Sequence, residues 1–139
     1  MTELEEAVRL IDKNVKVNQH LTKRCDLKTR ELAWGNKEQV EQCSKVDLII
    51  ASDVLYEAHF FQDLVKTLVD LSKDTTRIYI GYKRRGFSQE EEQTFWNLCE
   101  SSGFQVTLLE YDRNQDVDDI LVPSIAVEIG VQIYRLLPV

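Results

Sequence analysis

The residues best suited to chemistry stand together after one apolar run. Leu48-Ile49-Ile50-Ala51 has no polar interruption, polarity changes abruptly at Ser52-Asp53, and Tyr56 follows three positions on. Such a run fits a strand covered on both faces, as in a parallel sheet with helices on each side. In an open α/β sheet, ligands bind just beyond the carboxyl ends of the strands. An acid and a tyrosine placed there can face a site. Blander roles fit as well: a helix N-cap or loop acid for Asp53, and a core aromatic with a polar tip for Tyr56. Trp34, inside the turn signal Trp34-Gly35-Asn36, is either a stacking surface or a packed turn aromatic.

Other reactive types are scattered. Cys25, Cys43 and Cys99 form no C-x-x-C pair, which argues against a zinc or redox motif, and free thiols suit a reducing compartment. His20 and His59 have no partners that suggest a triad or metal site. Lys83-Arg84-Arg85 is a short basic cluster, able to meet an acidic patch or phosphate but equally a solvated loop. The acids Asp112, Asp116, Asp118 and Asp119 sit in one polar loop. It can attract a basic substrate or simply be solvated.

These groups need elements to position them. The 139 residues suit one domain, and 43% hydrophobic with 29% charged is ordinary for a globular chain. A net charge of −7 makes nucleic acid a poor partner and a basic protein or peptide an easier one. Neither terminus carries a membrane-length apolar run or a signal peptide, so a cytosolic or nuclear protein is expected. A helix is predicted from Thr2, with Thr2 and Glu5 at capping-box spacing, fading near 18–20. Residues 27–33 read weakly as a strand, and 37–45 as loop or a short helical turn. The central strand is predicted over about 47–52 and the clearest helix over 59–71, on the stripe Phe60, Phe61, Leu64, Val65, Leu68 and Leu71. A strand at 77–82, a helix from Ser88 to about Ser102 closed by Gly103, and strands at 104–111 and 126–137 follow. The last two should pair antiparallel, since no helix lies between them. The alternation predicts an α/β layered domain with a mostly parallel sheet.

Four short motifs in this order resemble a known family. Met1-Thr2-Glu3-Leu4-Glu5-Glu6 resembles the V-T-D-L-x-E step that closes a second strand, and Asn14-Val15-x-x-Asn18 the N-v-x-x-N of the next helix. Leu32-Ala33-Trp34-Gly35 resembles L-x-W-G, and Asp53-Val54-Leu55-Tyr56 resembles D-x-x-Y. Together they resemble the methyltransferase-like group of seven-β-strand protein-lysine methyltransferases, over nearly the whole chain. The resemblance implies a Rossmann-like class I methyltransferase sheet with a C-terminal antiparallel hairpin. It implies S-adenosyl-L-methionine as cofactor, no metal, and a lysine-bearing protein substrate such as a chaperone, an AAA ATPase or an elongation factor. By the same resemblance, Glu3 holds the cofactor's ribose hydroxyls, where the family usually has Asp. Trp34 lies near the adenine, and Ser52 stands beside the cofactor where Ala is common. Asp53 and Tyr56 serve the target lysine and catalysis.

One family feature is missing. None of Gly35, Gly81, Gly86, Gly103 and Gly130 forms the glycine-rich turn that follows the family's first strand. Residues 1–139 are therefore expected to be a single partial methyltransferase domain, lacking the first strand and most of the second, with poor cofactor binding by itself. An alternative is a non-catalytic interaction module derived from this fold, which pairs its open sheet edge with a partner strand. A nucleotide-binding domain fits less well, since no phosphate-cradling loop is present.

Overall fold

The computed structural model of the chain describes residues 2, 3, 5–21, 23–109 and 129–139, without the side chains of residues 2, 3, 5 and 6. The elements run β1 (Thr2–Glu3), α1 (Glu5–Val17), β2 (Arg30–Glu31), α2 (Lys37–Glu41), β3 (Leu48–Ser52), a 3-10 turn (Ala58–Phe60), α3 (Phe61–Leu71), β4 (Arg77–Tyr82), α4 (Gln89–Ser101), β5 (Phe104–Leu109) and β6 (Gln132–Pro138). They form an α/β structure with two sheets. β1 and β2 pair in parallel, and the larger sheet has the order β3-β4-β6-β5. β3 and β4 are parallel, while β6 runs antiparallel to both β4 and β5.

The predicted helix at Thr2 starts later. Thr2 and Glu3 are extended and pair with Arg30 and Glu31, and α1 begins at Glu5. Ladder hydrogen bonds to β2 outweigh the capping-box spacing. The weak strand at 27–33 shrinks to Arg30–Glu31. The last strand starts at Gln132, because Ile129-Gly130 is a turn with Gly130 at φ +72°. Positions 126–128 and the acidic loop at 112–123 lie outside the described residues. The predicted antiparallel pairing is present, with Phe104 opposite Pro138.

The core forms where α3 and α4 cover one face of the larger sheet. Ile78, Ile80 and Tyr82 alternate along β4 and point to that face, joined by Leu136 of β6. Against them pack Phe61, Leu64, Val65 and Leu68 of α3, and Phe95, Trp96 and Cys99 of α4. Aromatic pairs lock the layers: Phe61–Phe95 at 5.1 Å, and Trp96 stacked on Tyr134 of β6 at 3.8 Å. Burial pushes the Cys99 thiol up to about 12, so it packs as a small hydrophobe.

β3 departs from expectation. Its apolar run predicts cover on both faces, yet Leu48 is 49% and Ile50 70% exposed. The strand is the edge of its sheet, and among the described residues the helices cover only the face carrying Ile49 and Ala51.

Among the described residues one charged group is buried. Ser88 and Glu91 form the expected capping box at the start of α4, and Glu92 next to them is only 6% exposed. Arg84 grips Glu92 with both oxygens engaged at 2.5 Å, and the Tyr82 hydroxyl donates to the same carboxylate. The Arg84 guanidinium holds the Glu92 carboxyl below the usual carboxylate value of about 4.5. Burial, reinforced by Glu92, raises the Tyr82 phenol. A depressed carboxyl stabilises the fold above its unfolded value, and that contribution disappears as pH falls through the folded one. Glu92→Gln is therefore expected to lower the melting temperature by roughly 5 °C at pH 7. The gap to wild type should narrow below the usual carboxylate value, as thermal melts across pH will show. A gap independent of pH contradicts the ionic origin.

Candidate functional site

The site gathers at the carboxyl end of β3. Asp53, the first residue after the strand, adopts φ +55° and is the sole described non-glycine residue with positive φ. Its N–H donates to the Gly81 carbonyl at 3.2 Å, which extends the β3–β4 ladder by one bond into the turn. A strained backbone persists only where its surroundings impose it, and such positions concentrate at functional sites. The rest of the D-x-x-Y segment explains its direction. Leu55 is 4% exposed and Val54 packs on the core, so Asp53 and Tyr56 are left facing outward.

Trp34 reaches the same place from another part of the chain. Its turn is tied on three sides. The Ala33 N–H donates to Gln39 Oε1 at 2.7 Å, the Asn36 side chain caps α2, and the Gly35 N–H donates to Thr67 Oγ1 of α3 at 2.8 Å. Gly35 lies at φ +77°, and a Cβ there would sit 2.6 Å from Asp63 Oδ1, so this turn requires glycine. The Trp34 ring lies 5.6 Å from Tyr56 and 6.2 Å from Phe60, and Tyr56 is 6.0 Å from Phe60. Trp34 and Ser52 line one cleft of about 200 Å³ with Leu32, Ile50, Val54 and Leu64.

Of the five predicted site residues, Trp34 and Ser52 share that cleft and Tyr56 meets the Trp34 ring, while Asp53 follows Ser52 with its carboxylate turned to Arg85. Glu3 has its backbone in β1, opposite Glu31, and its side chain lies outside the described residues. Phe60 was expected only as part of a helical stripe; it sits in the 3-10 turn and completes the aromatic cluster. His59 is an exposed turn residue with its ring on Phe60, and His20 is exposed. The basic run does not form one patch: Arg84 turns to Glu92, and Arg85 Nη2 lies 3.3 Å from Asp53 Oδ1. A wider groove of about 680 Å³ between the 3-10 turn, α3 and α4 contains none of the predicted site residues. Among the described residues there is no group of three His, Cys, Asp or Glu suited to a metal, and no helix long and apolar enough to cross a membrane.

Comparison with known proteins shows the family and the fold. A family model described as lysine methyltransferase matches residues 1–102. A protein of Schizosaccharomyces pombe, UPF0665 family protein C23C4.06c, is 33% identical over 95 residues, covering 68% of this chain and 28% of that protein. The protein N-lysine methyltransferase METTL21A of Mus musculus is 29% identical over 119 residues, covering 84% of this chain and 52% of that protein. The chain spans about half or less of the length of these relatives. In fold it resembles the fibrillarin of Aeropyrum pernix, solved with S-adenosyl-L-methionine, with a TM-score of 0.61 at 11% identity over 98% of this chain and 54% of that one. The fold is that of the Rossmann-like class I methyltransferases, and the chain belongs to the lysine methyltransferase family.

Proposed function

We propose that this chain serves a cytosolic or nuclear protein-lysine N-methyltransferase that takes its methyl group from S-adenosyl-L-methionine. The observation that carries the reading is the contact between Trp34 and Tyr56 beside Asp53, at the end of β3. Two segments separated by α2 and β3 in sequence converge where an α/β sheet binds ligands. The residues fit the cofactor: Trp34 offers an aromatic face to the adenine, and Ser52 lines the same cleft.

When bound, S-adenosyl-L-methionine supplies an electrophilic sulfonium methyl. The chain's residues must then deliver a neutral amine in line with it, so positioning and local electrostatics carry most of the rate. Asp53 holds the incoming lysine ammonium and assists loss of its proton. Tyr56 borders the path with its ring and hydroxyl. Leu55, anchored in the core, keeps both aimed outward.

The test uses the full-length protein with tritium-labelled S-adenosyl-L-methionine and, in turn, a recombinant chaperone, AAA ATPase, elongation factor and a cell lysate. Label on a lysine of one of these is expected. A folded protein that labels none of them removes the reading and favours the alternative, a non-catalytic module that adds a partner strand at the open edge of β3.

A second expectation concerns the 139 residues alone. The described cleft of about 200 Å³ is smaller than the roughly 300–1,000 Å³ of usual ligand pockets. Calorimetry on the isolated polypeptide should give a dissociation constant for S-adenosyl-L-methionine weaker than about 100 µM, since so small a cleft buries too little ligand surface. Micromolar binding contradicts this.

A further inference from the structure

The contact between Arg85 and Asp53 has no part in the scheme above. Arg85 Nη2 sits 3.3 Å from Asp53 Oδ1, with both side chains more than half exposed. The placement follows from its neighbour. Arg84 is held by the buried Glu92 carboxylate through two bonds of 2.5 Å, which anchors the segment after β4 against α4. Asp53 is held from its own side, by its N–H bond to Gly81 of the same strand β4. The two partners therefore meet across a pair of anchored backbones rather than by chance between free loops.

We propose that Arg85 is a gating residue that occupies the cation position at Asp53 until a substrate lysine displaces it. The inference rests on the reading of Asp53 as the group that receives the target lysine. A guanidinium is always charged and pairs well with a carboxylate, so it is a fitting stand-in for an ammonium. A pair exposed to water is weak enough to be exchanged. A lysine that arrives without further contacts must compete with Arg85, whereas a lysine on a docked protein displaces it. Arg85 thus lowers the affinity of every amine by one factor, and a lysine needs the further contacts of a docked protein to bind at low concentration. The competition is one of charge, and no bond is made or broken in it.

The experiment has two arms. In the first, the full-length protein and its Arg85→Ala and Arg85→Lys variants methylate whichever protein substrate is labelled. Arg85→Ala is expected to lower KM about two- to fivefold, the range a surface ion pair is worth, with the smaller change in kcat. Arg85→Lys should stay near wild type, because a cation still occupies the position. In the second arm, n-butylammonium chloride, a mimic of the lysine side chain, is titrated while the Asp53 amide is followed by NMR. Affinity should rise by the same factor in Arg85→Ala, and the difference should vanish when Asp53→Asn is added. Equal butylammonium affinities in wild type and Arg85→Ala, or an unchanged or raised KM, overturn the gating role while methyl transfer stands. No methyl transfer by wild type, with the butylammonium difference intact, instead defeats the methyltransferase reading and leaves Arg85 competing for a cation at Asp53.

Discussion

Asp53→Asn is expected to lower kcat/KM for the methylated protein at least about 100-fold, the lower end of what a positioned proton acceptor contributes. The substitution isolates charge from structure. Asp53 stands at φ +55°, a region that Asn tolerates as well as Asp. The bond from its N–H to the Gly81 carbonyl involves only backbone and survives the change. What disappears is the negative charge that, in the proposed function, attracts an ammonium and takes up its proton. Asp53→Ala is a poorer test, because it adds backbone strain of about 1 kcal/mol or more. Steady-state kinetics beside a thermal melt decide the matter. A variant within threefold of wild type, equally stable, shows that Asp53 does not meet the lysine.

The second large effect is on folding. Phe95→Ala should destabilise the chain by about 3–5 kcal/mol. Phe95 is fully buried, with Phe61 of α3 at 5.1 Å on one side and Trp96 at 4.8 Å on the other. Truncation opens a cavity at the joint where α3, α4 and the sheet meet, and rigid rings collapse poorly into such a space. Domains of this kind are stable by only about 5–15 kcal/mol, so the loss is a large share of the total. Urea unfolding will read it as a lower midpoint at unchanged slope. Leu10→Ala is the control: Leu10 is 61% exposed, and a change within about 0.5 kcal/mol is expected. Equal effects at the two positions contradict the core described here.

Much of this was legible because local signals agreed with the fold. The stripe of α3, the Ser88–Glu91 capping box and the strand of β4 each rest on near neighbours in sequence. The abrupt change of polarity at Ser52-Asp53 marked the end of a strand, and Trp34-Gly35 marked a turn. Errors arose where a remote partner decided. Thr2 and Glu3 have a helix-start pattern, but pairing with Arg30 and Glu31 makes them strand. Ile50 has the neighbours of a buried residue, yet an apolar run does not record whether a second layer is present.

The sequence by itself determined the order of the main elements from α1 onward, the family, and the residues worth suspecting, since these depend on side-chain type and spacing along the chain. Only the tertiary structure decided that Trp34 touches Tyr56 and Phe60, that Arg84 turns to Glu92 while Arg85 turns to Asp53, and that among the described residues no second layer meets Leu48 and Ile50 of β3. Each of these is a meeting between residues brought together by the packing of strands and helices. Neighbouring arginines carry no mark of which acid each will find; the backbone after β4 aims one at α4 and the other at the end of β3.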